Sequence, residues 1–259
     1  MEPDGRADDF GRTHTRTLIV LERFDPTVES VNPCYRAFAD YQTGLYKRAR
    51  EAIQSLGRPS LRILDAASGV GYGSTYLEDM GTYEGLDADL GTVERARARW
   101  PGAKYSVADL EDSKTFQGRE PMDAIISFET AEHLRSPEAF LRNCRSVLKP
   151  GGVFCFSVPT DKTKDFDPYH RNDWPAERWE QLLRGAGFDV LSKHGHVIDE
   201  TFKSFRTMVP VSMFQHVWAG WRALRFGYLP SRIKEWLIEG RFRCQWTMWV
   251  CVNAGGGGH

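Results

Sequence analysis

Between about residues 60 and 160 the chain alternates short apolar runs with amphipathic stretches. LRILDA (61–66), TYEGLD (82–87), AKYSVAD (103–109), MDAIISF (122–128) and GVFCFSV (152–158) read as strands. Helices are expected at 71–80, at 90–99, and from Pro137 to a stop at Lys149-Pro150-Gly151-Gly152. Ser136-Pro137-Glu138 supplies an N-cap, a proline at the first helical position and an acid in the first turn. Upstream, apolar or aromatic residues at 35, 38, 41, 45, 46, 49 and 53 have helical spacing, and Gly57 with Pro59 ends that helix near Leu56. Downstream come a helix at 175–186, a strand at 188–197 and a last strand, QWTMWVCVN, at 245–253. Strands that are apolar throughout, separated by amphipathic helices, imply an α/β domain whose parallel sheet is covered on both faces.

The pattern sets the boundaries as well. Residues 1–30 read as a mobile N-terminal arm and 254–259 as a flexible tail, with one domain over 31–253. Within it, about 200–242 differs in character: Trp218, Trp221 and Trp236 recur with helical spacing in a locally basic stretch. It reads as a helical insertion serving as a lid or a homodimer surface.

Charge and cysteine content narrow the function. Thirty-four Lys+Arg against 35 Asp+Glu leave a net charge of −1, which argues against a nucleic-acid coat or a polybasic membrane binder. No apolar run is long enough for a transmembrane segment, and the acidic start MEPDGRADDFGR lacks a secretory h-region. Five cysteines with no CxxC pair fit a reduced, cytoplasmic enzyme better than a disulfide scaffold or zinc ribbon.

Candidate chemistry gathers at strand ends, where open parallel sheets bind ligands. After the first strand, Asp65-Ala66-Ala67-Ser68-Gly69-Val70-Gly71-Tyr72-Gly73-Ser74 forms a glycine loop that lets backbone approach a ligand. A carboxylate at Asp65 suits an ammonium group and sits badly beside a pyrophosphate. The dinucleotide fingerprint is also incomplete, since its third glycine would fall on Ser74, so a nucleotide-dependent oxidoreductase ranks last. Asp87 closes the second strand 18 residues past Gly69, where an acid can accept both hydroxyls of a ribose. Asp109 closes the third, placed to accept an adenine amino group while Leu110 packs on the ring.

ILDAASGVGYGS, YEGLDADLGTVERARAR, SVADLED, MDAIISFETAEHLRSPEAF and VLKPGGVFCFSVP resemble the successive motifs of class I S-adenosylmethionine-dependent methyltransferases. They are most similar to the small-molecule group that includes the ubiquinone-biosynthesis O-methyltransferases. The resemblance implies a Rossmann-like fold: a seven-stranded, mostly parallel sheet with helices on both faces and its last strand antiparallel. It implies S-adenosylmethionine held at Asp65, Ala67, Ser68, Gly69, Gly71, Asp87, Ala88, Asp109, Leu110 and the backbone of Phe128, with the helix carrying Tyr41 and Tyr46 closing over it. Ala67 stands where that family commonly has glycine.

A methyl sulfonium needs no activation, so the protein's work is alignment and deprotonation of an acceptor. In Phe128-Glu129-Thr130-Ala131-Glu132-His133-Leu134, His133 is the candidate general base for a small-molecule hydroxyl, of a sugar or secondary metabolite. Glu129 and His170 are candidate acceptor contacts, while Asp161, Asp165 and Asp167 look solvated. Glu129, Glu132 and His133 at i, i+3 and i+4 could instead share one face of a helical turn and bind a divalent cation. Two rivals keep the fold and drop the reaction: a cyclase in which the cofactor is structural, and a non-catalytic partner of a methyltransferase.

Overall fold

The computed structural model describes residues 33–160, 169–201 and 241–255. The arm, the insertion core with Trp218, Trp221 and Trp236, the acids at 161, 165 and 167, and the end of the tail lie outside the described residues. The chain runs α1 (Pro33–Gln54), β1 (Leu61–Ala66), α2 (Ser74–Leu77), β2 (Gly81–Asp87), α3 (Leu90–Arg99) and β3 (Lys104–Val107). It continues through β4 (Met122–Phe128), α4 (Pro137–Val147), β5 (Leu148–Pro159), α5 (Ala176–Gly185), β6 (Phe188–Thr201) and β7 (Arg241–Asn253).

The seven strands form one sheet in the order β3-β2-β1-β4-β5-β7-β6. β1 to β5 pair in parallel, and β7 lies antiparallel between β5 and β6. β4 is buried along its whole length, on both faces, yet period-two alternation still sorts its residues. Ala124, Ile126 and Phe128 join Ile63 and Val153 beneath Tyr46, Ala49 and Ile53 of α1 and Val93 and Ala96 of α3. Ile125 joins Leu64, Leu86, Phe154 and Phe156 against Phe140 and Cys144 of α4 and Trp179 and Leu183 of α5. These two cores hold the sheet rigid, so the loops at its carboxyl edge have a fixed base. The sheet order reverses between β1 and β4, which puts the switch point at Asp65 and Phe128.

Four expectations need correcting. The helix expected at 71–80 is reduced to Ser74–Leu77 with a 3-10 turn over Glu78–Met80, because the glycine loop consumes its first turn. β3 stops at Val107 instead of 109: the Asp109 carboxylate accepts from the Glu111 amide at 2.8 Å and starts a turn. Lys149-Pro150-Gly151-Gly152 does not separate α4 from β5. It forms an irregularity within β5, where pairing steps from Met122↔Leu148 to Ala124↔Val153. β6 and β7 reach Thr201 and Arg241, so both ends of the stretch assigned to the insertion belong to the sheet.

Ser136 caps α4 as expected, its Oγ accepting from the Ala139 amide at 3.3 Å. Among the described residues no helix is long and apolar enough to cross a membrane.

Candidate functional site

The glycine loop leaves β1 through a tight reversal. The Ala67 and Ser68 amides both donate to the Leu86 carbonyl at 2.8 Å, which pins the loop to β2. Ala67 takes φ +76°, a left-handed conformation that costs an alanine about 1 kcal/mol. Gly71 takes φ +83°, and a Cβ there would lie 2.7 Å from the Tyr105 ring. Gly73 is a residue that motif reading undervalued. A Cβ on it would come within 2.5 Å of the Tyr46 ring and 2.6 Å of the Asp65 carboxylate.

Asp65 sits beneath this loop, 1% exposed. Its Oδ2 accepts from Tyr46 Oη at 2.8 Å and from Tyr83 Oη at 2.5 Å. Its Oδ1 has no hydrogen-bond partner among the described residues. Burial pushes this carboxyl up to about 6, with the two phenols opposing the shift. A folded-state value above the unfolded 3.8 means the ligand-free fold is penalised as pH rises through this interval, and fully so above about 6. Asp65→Asn, which can still accept from both phenols, is therefore expected to raise the melting temperature of the ligand-free protein by several degrees at pH ~8. The gain should vanish below pH ~4, a dependence that differential scanning calorimetry reads directly.

Asp87 closes β2 with its carboxylate half-buried. Oδ2 accepts from the Gly69 amide and Oδ1 from the Asp89 amide, both at 3.0 Å. Burial raises its pKa, and these backbone donors counter it. Ala88 and Asp109 are exposed beside it, while Leu110 is buried and its carbonyl accepts from Asn143 at 3.1 Å.

Beyond β4 the chain turns at Glu129, whose φ of +51° is unusual for a residue with a long side chain. Its amide donates to the Ser157 carbonyl, and its Oε1 accepts from Tyr41 Oη at 3.0 Å and Ser157 Oγ at 2.7 Å. This directs Glu129 toward α1 and β5, away from Glu132 and His133. Residues 129–135 are a turn, not a helical turn, so the triad spaced i, i+3, i+4 does not form. His170 takes the place of Glu129: Glu132, His133 and His170 each bring one ligand-type atom within 4.8 Å of the others. Asn172, which the sequence reading overlooked, makes this juxtaposition durable. Its buried side chain donates to the Ala131 and Leu134 carbonyls at 3.0 and 2.7 Å, while the Arg171 and Asn172 amides donate to the Glu132 carbonyl.

His133 keeps 39% of its side-chain surface exposed. Its Nδ1 lies 3.4 Å from the Tyr169 carbonyl, and Nε2 lies 3.8 Å from a carboxylate oxygen of buried Glu132. A carbonyl can only accept, so this contact is served when Nδ1 carries the proton, and Nε2 then presents its lone pair. The Glu132 carboxylate would steady the imidazolium once Nε2 gains a proton.

The residues present fit the adenosyl sulfonium that the resemblance implies. The unpartnered Asp65 Oδ1 suits an ammonium, and Gly69, at φ +54°, has open space where a Cβ would stand. Asp87 offers further lone pairs to a pair of hydroxyls. The structure brings Asp65, Ala67, Ser68, Gly69, Gly71, Asp87 and Phe128 to the carboxyl edge around the switch point, with Tyr46 bonded to Asp65 and Tyr41 bonded to Glu129.

Comparison with known proteins agrees. Residues 64–156 match the family model described as a methyltransferase domain. The "Probable S-adenosylmethionine-dependent methyltransferase" of Mycolicibacterium smegmatis is 33% identical over 49% of this chain, and the chain spans about half (52%) of that relative. The ubiquinone biosynthesis O-methyltransferase of Cereibacter sphaeroides is 27% identical over 68% of this chain and 79% of its own length. Among solved structures, the 4+2 cyclase SpnF superposes with a TM-score of 0.57 at 17% identity, covering 90% of this chain and 86% of that one. At that identity the likeness concerns the fold.

Proposed function

Because the chain belongs to the class I S-adenosylmethionine-dependent methyltransferase family, we propose that it transfers a methyl group to a hydroxyl of a small molecule. The carrying observation is the carboxyl edge of the sheet, where a cofactor-shaped loop and the Glu132–His133–His170 cluster flank one switch point. S-adenosylmethionine, when bound, supplies an electrophilic methyl on a sulfonium. Asp65 would hold the amino end through Oδ1, Asp87 the ribose, and the rim at Asp109 and Leu110 the adenine. Glu129 would line the acceptor side. His133 Nε2 would take the hydroxyl proton as the new bond forms, with the Tyr169 carbonyl fixing the ring and Glu132 balancing the charge. Alignment and proton removal are the two contributions a protein can make to this displacement. Buried free thiols at Cys144, Cys155 and Cys251 suit a reducing cytoplasm.

Incubating the protein with S-adenosylmethionine and a panel of sugar and phenol acceptors, then weighing products, tests this reading. A gain of one methyl-for-hydrogen replacement supports it. An isomerised product of unchanged mass would instead favour cyclase chemistry, and uptake of cofactor only with a second chain would favour a partner role.

The cluster geometry favours a second reading of proton removal. Two imidazoles and a carboxylate within 4.8 Å can serve a divalent cation that lowers the acceptor's pKa. The Nε2 lone pair cannot both bind a cation and accept a proton, so the two readings exclude each other and separate experimentally.

A further inference from the structure

Glu129 is bonded from three separate elements of the fold: Tyr41 of α1, Ser157 of β5 and Trp246 of β7. A chain does not ordinarily place a glutamate at φ +51° and then converge three neutral donors on its carboxyl; backbone strain of this kind persists where surrounding structure over-determines it. The residue stands immediately after β4 at the switch point, and part of its surface stays accessible. No lysine or arginine pairs with it among the described residues. The three donors leave acceptor capacity, since a carboxylate has about four lone-pair positions. Beside it the Tyr41 and Trp246 rings lie 5.5 Å apart and present an apolar wall.

We infer that Glu129 is the residue that grips the methyl acceptor, accepting a hydrogen bond from a hydroxyl of an uncharged polyol ring whose C–H face rests on Trp246. This rests on the methyl-transfer reading and adds to it the acceptor's charge class. A carboxylate walled by neutral donors rejects an anionic acceptor, because among the described residues no cation stands beside it to balance a second negative charge. It also makes acceptor binding depend on pH. Burial raises the Glu129 carboxyl to about 7, while its bonds from Ser157, Tyr41 and Trp246 pull the other way. The groups facing it are the Tyr41 phenol from α1 and the neutral Ser157 and Trp246 from β5 and β7, while Glu132 and His133 stand further along its own turn with His170, and its carboxyl is directed away from them. Only the ionised form accepts through every lone pair, so affinity should fall as pH drops through 7.

The test uses the full chain saturated with S-adenosylhomocysteine, with methyl α-glucoside as the neutral probe and its uronic acid counterpart as the anionic one. Binding is followed by NMR line broadening between about pH 8 and pH 6. The glucoside is expected to bind at the upper pH and weaken about tenfold at the lower. The anionic probe should not bind. Glu129→Gln should remove the pH dependence and weaken binding at the upper pH, with calorimetric uptake of S-adenosylhomocysteine unchanged as proof of folding. Tyr41→Phe removes a donor that favours the ionised form, so the midpoint should move upward; a merely structural role predicts no such directed shift. Glucoside binding that is absent, independent of pH, or the same in Glu129→Gln overturns the inference, as does a downward shift in Tyr41→Phe. Failure of the methyl-transfer reading itself looks different: wild-type protein would take up no S-adenosylhomocysteine at all.

Discussion

Asp87→Ala is expected to weaken S-adenosylmethionine binding by roughly 10²–10⁴-fold in isothermal titration calorimetry. Two hydrogen bonds from ribose hydroxyls to a carboxylate are worth about 1.5–3 kcal/mol each, and the sum converts to that range. The structure adds a second contribution. Asp87 Oδ2 accepts from the Gly69 amide, so alanine also frees the loop that must carry the methionine end. Asp87→Asn separates the two effects, because an amide oxygen can still anchor Gly69 while the charge is gone. The asparagine variant should therefore retain measurable affinity, about tenfold or more above the alanine variant. Wild-type affinity in both variants would mean that the cofactor does not lie against β2, and the assignment of the whole carboxyl edge would fail with it.

How much of this was legible beforehand depends on range along the chain. Strands appeared where apolar residues run together, and MDAIISF became β4 without adjustment because both its faces are buried. The α4 cap was readable from three consecutive residues. The loop after β1 was readable as a loop, but its length was not. Gly69 and Gly71 take positive φ, and that geometry extends the turn into what the pattern gave to a helix. Tertiary partners were harder. Nothing in LRILDA says that the Asp65 carboxylate would receive Tyr46 from a helix 19 residues upstream and Tyr83 from the neighbouring strand. Without those phenols the residue looks like one more strand-end acid.

The turn after β4 shows the limit most clearly. Spacing alone placed Glu129, Glu132 and His133 on one face, since that is what i, i+3 and i+4 do on a helix. The positive φ at Glu129 breaks that premise and sends its side chain to Ser157 and Tyr41. His170 lies in a segment with no periodicity, and the Asn172 side chain with the Arg171 amide ties that segment to the turn after β4, where the His170 and His133 ring centroids are 4.7 Å apart. Chemistry-bearing residue types could be named from the sequence; which of them meet is decided by backbone turns and by one buried asparagine.

His133→Ala should leave cofactor affinity intact and reduce turnover by roughly 10²–10⁴-fold, the range that general-base help supplies. Affinity is spared because the imidazole contacts at the Tyr169 carbonyl and Glu132 belong to the turn after β4 and its neighbour, not to the residues assigned to the cofactor. The same variant, compared with His170→Ala and with chelator treatment, decides how the proton leaves. If His133 is a base, stripping divalent ions leaves wild-type turnover unchanged, and His170→Ala costs little because its ring meets the imidazole edge-on, a contact that proton removal at Nε2 does not use. If the cluster holds a cation, chelation silences the wild type, Mg²⁺ or Mn²⁺ restores it, and His170→Ala falls as far as His133→Ala because each removes one ligand. Full turnover in His133→Ala would defeat both readings at once, since they share the Nε2 lone pair. The acceptor's proton would then have to leave by way of Glu129 or solvent, and the polar turn after β4 would serve binding alone.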